Sequence, residues 1–275
     1  MVYDTYGSPC RCLTTGVDDP AYDIASKAAQ IISGLMFAAF AMFLSVSNSP
    51  GIEDIQKKSL AERLQAVTTL CFLVSIFSAF FNFFQVTEWD NIVLDNRSVP
   101  FVLDIARPVE WIMTCPVMQL ALVIYGGKSI PVYRRILMPL LSVSVLVLGT
   151  ASALTREPDF LRFMLAALAV CVCMAMFALN RYQIVEFSEG KEDLWRGNSN
   201  FHKVTVLLMV TWFPFPIWFG LSPECFGYIT DVMLIQIGYA VLNIVSKCSF
   251  MAFLQYCKMN ATRDVNNNIF HALMA

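Results

Sequence analysis

Charge is scarce in this 275-residue chain. Asp, Glu, Lys and Arg make up 15% of it, where a soluble domain carries about 25%. So small a supply argues against a water-covered globule. The formal charge is −2 and no basic run is present, so no nucleic-acid partner is expected. Histidine is nearly absent. His202 and His271 stand alone, without ligand spacing, and no metal site is expected. The first twenty residues lack an apolar stretch and hold Asp4, Arg11, Asp18 and Asp19. A cleavable leader is therefore not expected, and insertion would rely on the first spanning helix. No composition shift marks a second domain. What is abundant is apolar: 57% of residues are hydrophobic and mean hydropathy is +0.60.

A membrane-spanning helix needs roughly 20 mostly apolar residues. Seven such stretches are expected, giving an all-α bundle of seven transmembrane helices. They run from Ala28 to Val46, Leu64 to Val86, Phe101 to Ile124, Ile130 to Leu154, Phe160 to Ile184, Val204 to Leu221 and Ile229 to Tyr256. Orientation follows the asymmetry of Lys and Arg between loops. One set of loops carries Lys57, Lys58, Arg63, Lys128, Arg134, Arg135, Arg181, Lys191, Arg196 and Lys203, and the C-terminal tail adds Lys258 and Arg263. The other side has only Arg11, Lys27, Arg97, Arg156 and Arg162. The N-terminus is thus expected outside and the C-terminus inside. Residues 1–25 would form an extracellular segment, 26–258 the bundle and 259–275 a cytoplasmic tail. Asn96-Arg97-Ser98 would be an extracellular glycosylation sequon, while that at Asn260 would be cytoplasmic.

Few ionisable residues fall within the spans. Lys247 sits deep in the seventh; Asp104, Arg107 and Glu110 are expected along the third. Lysine at the centre of a spanning helix costs roughly 2.5–3.5 kcal/mol on insertion scales, which marks it as functional. Lys247 lies eleven residues, about three turns, from Lys258 at the boundary, too deep to snorkel comfortably. A buried amine is nucleophilic toward an aldehyde, and a protonated imine would need an anion nearby. Arg107, Glu110 and Thr114 share a helix face at i, i+3 and i+7, which makes Glu110 the candidate.

The third span reads Arg107-Pro-Val-Glu110-Trp111-Ile-Met-Thr114-Cys115-Pro116. It resembles the third-helix signature of microbial rhodopsins, and its Glu, Trp and Thr-Cys-Pro resemble the channelrhodopsins in particular. Trp212-Phe-Pro-Phe215-Pro216 is similar to the family's sixth-helix aromatic pattern. Ser222-Pro223-Glu224-Cys225-Phe226-Gly227 resembles a turn of green-algal channelrhodopsins. Asn243-Ile-Val-Ser246-Lys247 stands where the family has Asp-x-x-x-Lys. The resemblance covers nearly the whole chain. It implies all-trans retinal attached to Lys247 as a protonated Schiff base, with Glu110 as counterion and proton acceptor. Trp111, Thr114, Cys115, Ser142, Trp212, Phe215 and Pro216 would form the pocket. Arg107, Asp104, Asn243, Ser246 and Thr69 would serve gating or line a pore. Near the N-terminus, Cys10-Arg11-Cys12 resembles cysteines that cross-link two channelrhodopsin protomers, which implies a homodimer; a bond from that pair to Cys225 within one chain is the alternative.

Departures from the family pattern shape the functional expectation. Asn243 replaces an acid, leaving Glu110 as sole counterion. Ser142 stands where many channelrhodopsins pair Cys115 with Asp. The donor position of proton pumps falls on Ala121, which cannot relay a proton, so efficient pumping is not expected. Arg63 to Thr87 contains no acid, whereas cation-conducting relatives carry several Glu there. Carboxylate linings favour cations and neutral or basic ones favour anions. The expectation is a light-gated channel in the plasma membrane, multi-pass and without enzymatic activity. It would pass chloride or other small anions, with a cation or proton channel as the alternative. A sensor would need an attached enzyme or transducer, and about twenty residues follow Tyr256.

Overall fold

In a computed structural model, residues 20–46, 55–87, 89, 91–94, 101–155 and 158–274 are described. Among them, seven helical segments are long and apolar enough to cross a membrane: Ile24–Ser45, Ala61–Gln85, Ala106–Ser129, Arg134–Leu154, Asp159–Phe187, Asn200–Leu221 and Met233–Ala261. They belong to helices α1 (Pro20–Ser45), α2 (Ile55–Gln85), α3 (Ala106–Gly126), α4 (Arg134–Leu154), α5 (Asp159–Phe187), α6 (Asn200–Trp212), α7 (Pro214–Leu221) and α8 (Val232–Met274). α6 and α7 together make the sixth span. The end at which α1 begins is termed the outer end, following the charge pattern of the sequence.

The third span differs from expectation. Phe101–Asp104 is not helical but forms strand β2, antiparallel to β1 (Asn91–Leu94), with Asn91 opposite Asp104 and Leu94 opposite Phe101. The reason lies at Pro108. A helix carried back over these residues would drive the proline ring into the carbonyl of residue 104, four positions earlier. Starting at Ala106 instead places Pro108 in the first turn, where no helical N–H bond is needed. Asp104 is therefore at a strand end and not on α3.

The fourth span starts at Arg134 rather than Ile130, after a 3-10 turn at Gly127–Ser129. Gly127 has φ +67°, and a Cβ there would lie 1.7 Å from the Arg63 guanidinium. Its hydrogen is what lets Arg63 reach the Tyr125 carbonyl at 3.3 Å. The sixth span breaks at Phe213, between α6 and α7. Pro214 and Pro216 each remove a backbone donor and clash with a carbonyl one turn back. α8 continues well past Tyr256, to Met274.

Neighbours in sequence are neighbours in space. α1 to α6 pack in order, α8 contacts α6 and closes the ring on α1, and α2 also touches α8. Outward faces are apolar: Leu35, Phe80, Val147, Met174, Val210 and Val245 are exposed. The interior is mixed. Phe37, Met118, Leu122, Phe201 and Phe250 are buried beside Ser75, Ser78, Thr114 and Thr205. Several of these polar side chains bond back to carbonyls one turn earlier, as Ser75 to Cys71 at 2.9 Å and Thr205 to Phe201 at 2.7 Å. Such bonds satisfy a polar group where no water is at hand.

Candidate functional site

Three helices converge on the centre of the bundle. α3 brings Arg107, Glu110, Trp111 and Thr114 within its first turns. α8 presents Gln236, Tyr239, Asn243 and Lys247 at helical spacings of three and four, hence on one face. α2 brings Ser78, Asn82 and Gln85 by the same spacing.

Lys247 is 1% exposed and Glu110 0%. The Lys247 Nζ lies 2.5 Å from Glu110 Oε1 and donates to Ser78 Oγ at 3.0 Å. The Asn243 amide donates to both Glu110 oxygens, at 3.0 and 3.2 Å. The carboxylate thus faces one cation and one neutral donor. Burying two charges is expensive, so the pair adds little net stability, but removing one partner strands the other. Thr114 does not touch the carboxylate. Its hydroxyl donates to the Glu110 carbonyl at 2.8 Å.

Toward the outer end, Arg107 sits among acids and an aromatic ring. Its guanidinium is 3.3 Å from Asp104 and 3.8 Å from Glu224, donates to Gln236 Oε1, and lies 4.6 Å from the Tyr239 ring centre. Tyr239 donates its hydroxyl to Glu224 at 2.7 Å. Glu224, Tyr239 and Gln236 were not singled out as site residues from the sequence. Gln236 and Tyr239 were accessible in principle, as polar-tipped residues on the Asn243–Lys247 face. Glu224 lies on a turn, where no helical period points to the site.

Between these two groups lies a narrow cavity. Gln30 of α1, Asn82 and Gln85 of α2, Arg107 and Glu110 of α3, and Gln236 and Asn243 of α8 line it. It is wide enough for roughly one water molecule. Five of its ten lining residues carry carboxamides, Trp111, Tyr239 and Ala240 complete the wall, and α2 contributes no acid to it.

Two of the expected aromatic residues meet each other. Trp111 meets Phe215 edge-on at 5.2 Å and Tyr239 at 5.3 Å. Trp212 is buried in the main core, Phe215 and Pro216 are half-buried on α7, and the Trp111 Nε1 has no protein partner. Ser142 is buried and Cys115 half-buried, and no hydrogen bond joins them among the described residues. Ser246 is buried and donates to the Asn243 carbonyl at 3.2 Å. Thr69 does not join the site. It is exposed on the outside of α2 and donates to Gln65 O at 3.2 Å. Thr68, one position earlier and about 100° around the helix, is the buried one. Cys10, Cys12 and the Asn96 sequon lie outside the described residues.

These features define a seven-helix membrane protein organised around a buried lysine–carboxylate pair with aromatic walls. A family model for bacteriorhodopsin-like proteins matches residues 24–261, and the chain belongs to that family. Halorhodopsin of Halobacterium sp. (strain SG1) is 24% identical over 160 residues, covering 58% of this chain. That match spans about half of the relative, 54% of its length. Among solved structures, the bromide-bound form of halorhodopsin from Halobacterium salinarum superposes with TM-score 0.72 at 14% identity, covering 87% of this chain and 95% of that one. A light-driven proton pump, the rhodopsin of Coccomyxa subellipsoidea, superposes with TM-score 0.61 at 19% identity, covering 85% and 94%. Membership of the family implies a retinal chromophore. The residues present fit one: a deeply buried primary amine, a carboxylate beside it to balance a cationic nitrogen, and aromatic walls from α3, α6 and α7 with an orphaned indole N–H.

Proposed function

We propose that this protein is a light-gated ion channel of the channelrhodopsin kind, carrying all-trans retinal covalently on Lys247 and passing anions passively. The observation that carries this reading is the cavity between α1, α2, α3 and α8, which reaches Glu110 and has carboxamides for half of its lining. Amide N–H groups and a guanidinium suit a partly dehydrated anion, whereas cation paths are lined by carboxylates. Retinal, when bound, supplies absorption of visible light and a change of shape.

The rest falls to the chain. Glu110 balances the positive nitrogen at Lys247, and Asn243 and Ser78 hold the two in register. Trp111 and Phe215, meeting edge-on, would form one wall of the retinal site. The interruption at Phe213, with Pro214 and Pro216, gives the sixth span a place to bend without breaking further backbone bonds. Arg107, fixed by Asp104, Glu224 and Gln236, closes the cavity in the dark. Movement of the sixth and seventh spans would widen the cavity and hydrate it. The assembly we infer is a homodimer in the plasma membrane, cross-linked through Cys10 and Cys12, with the N-terminus outside.

One observation favours a second reading. Asp104 and Glu224 outnumber Arg107 at the outer mouth, which would suit a cation or proton channel. Reversal potentials under voltage clamp, with chloride and sodium exchanged in turn, decide. A shift with chloride alone is expected. A shift with sodium or pH would replace the anion reading with the cation one. A photocurrent of fixed sign at zero driving force would mean a pump and overturn the channel. Photocurrent surviving Lys247→Ala would overturn the attachment site.

A further inference from the structure

The inner half of the bundle contains an anomaly that the central site does not use. Gln119 of α3 and Asn180 and Gln183 of α5 are all 0% exposed. In each, both the carboxamide nitrogen and oxygen lack any protein partner. An unsatisfied buried polar group costs about 1–3 kcal/mol, so six such atoms would be a heavy burden on one bundle.

Their depths agree. Gln119 precedes the last residue of α3, Gly126, by seven positions, and Asn180 precedes the last residue of α5, Phe187, by the same seven. At 1.5 Å per residue both lie about 10 Å from the inner ends of their helices. α4 packs against both α3 and α5. It runs the opposite way, and its buried Ser142 follows Arg134 by eight positions, at about the same level. Asn180, Gln183 and Glu186, spaced by three, fall on one side of α5. Glu186 brings that side to the surface. One of its oxygens pairs with Arg134 at 2.8 Å and the other, Oε2, is buried without a partner. Arg134 also donates to the Leu179 carbonyl at 3.2 Å.

We propose that α3, α4 and α5 enclose a second polar chamber that binds a short chain of water, reaching from Glu186 at the inner surface to the carboxamides of Gln183, Asn180 and Gln119. Water is the ligand that fits. Each amide leaves a donor and an acceptor open, and buried water typically makes about three hydrogen bonds to groups of both kinds. A halide would satisfy the donors and leave three carbonyl oxygens bare. The chamber lies on a different side of the bundle from the α1–α2–α3–α8 cavity. Gln119, nine residues beyond Glu110, is about 13 Å nearer the inner end. The chamber gives solvent from the inner side access deep into the bundle by a route that needs no carboxylate at position 121. It is defined by protein groups alone and does not depend on the retinal reading.

A high-resolution density map of the full chain tests it. Water-oxygen peaks within hydrogen-bond distance of the carboxamides at 119, 180 and 183 are expected, continuing to Glu186 Oε2. A dry chamber, or amides turned to pair only with one another, would overturn the proposal. Melting gives a second readout of opposite sign for the two cases. If water bridges the amides, Asn180→Leu and Gln183→Met each lower the melting temperature, because neighbours lose partners. If the amides are dry, each substitution removes an unsatisfied group and raises it, which would refute the chamber.

Discussion

Removing one charge from the Glu110–Lys247 pair is the sharpest perturbation the structure offers. Lys247 has Glu110 as its ion-pair partner at 2.5 Å, and the two side chains are 2% and 0% exposed. Glu110→Gln keeps the shape and leaves packing intact, but strands the lysine charge. Losing one member of a buried pair costs about 3–5 kcal/mol. For a chain of this size each kcal/mol corresponds to about 2–4 °C in melting temperature, so a fall of about 6–20 °C is expected. Lys247→Met strands the carboxylate instead and falls in the same range. The double variant removes both charges and replaces the ammonium with an apolar side chain of similar length. It should recover to within about 1 kcal/mol of the parent, since replacing an entire buried ion pair is often neutral. The assay is thermal melting of the protein produced without retinal, followed by circular dichroism, for all four members of the cycle. Singles whose effects simply add in the double variant would show that the two charges are not coupled. That result would refute the reasoning. In the retinal-loaded protein, Glu110→Gln should also shift the visible band to the red, and an unchanged spectrum would mean that another group balances the nitrogen.

Glu224→Gln should weaken the hold on Arg107, which lies 3.8 Å from the Glu224 carboxylate, and change the formal charge of the Asp104–Arg107–Glu224 group from −1 to zero. On the anion reading, chloride photocurrent rises relative to sodium; a fall would favour the cation reading. Gly238→Ala would place a Cβ 2.2 Å from Trp218 Cζ2, an overpacking that costs about 1–3 kcal/mol. Melting of Gly238→Ala alone and with Trp218→Ala checks this, because the penalty should largely vanish once the ring is gone. Burial raises the Glu192 carboxyl, but hydrogen bonds from the Ser199 hydroxyl and from the N–H groups of Asn198 and Ser199, with His202 nearby, outweigh it and hold the group below its ordinary value of 4.5. A depressed acid stabilises the fold above its ordinary value and loses that contribution as pH falls through the lowered one. Hydrogen exchange at Asn198 and Ser199 should therefore be unchanged from neutral pH to about pH 5 and lose protection only in more acid solution. Protection that disappears already above pH 5 would contradict the assignment.

Helical periodicity made most of the bundle legible. Apolar runs long enough to span are hard to mistake, and the proline pair at Pro214 and Pro216 marked the break in the sixth span. The start of the third span was missed for a reason also present in the sequence: Pro108 forbids helix four residues before it, although Phe101-Val-Leu-Asp104 reads as apolar. The central pair could be found because Lys247 and Glu110 are conspicuous in an apolar context and each lies on a helix whose phase can be counted. Thr69 went astray because Thr68 and Thr69 are adjacent, and composition does not say which of two neighbours turns inward. Glu224 is the instructive case. It belongs to a turn between α7 and α8, so no period places it, and only the folded chain brings it to Arg107. The absence of acids between Arg63 and Thr87 was what pointed to an anion path. With Asp104 and Glu224 beside Arg107, the three formal charges at the outer mouth sum to −1, a field that disfavours anions. What then remains to favour anions is the run of amide donors from Gln30, Asn82, Gln85 and Gln236, neutral groups whose orientation rather than charge must do the selecting. Selectivity built in this way should be shallow among small anions, because amides that donate to chloride can donate equally to bromide or nitrate.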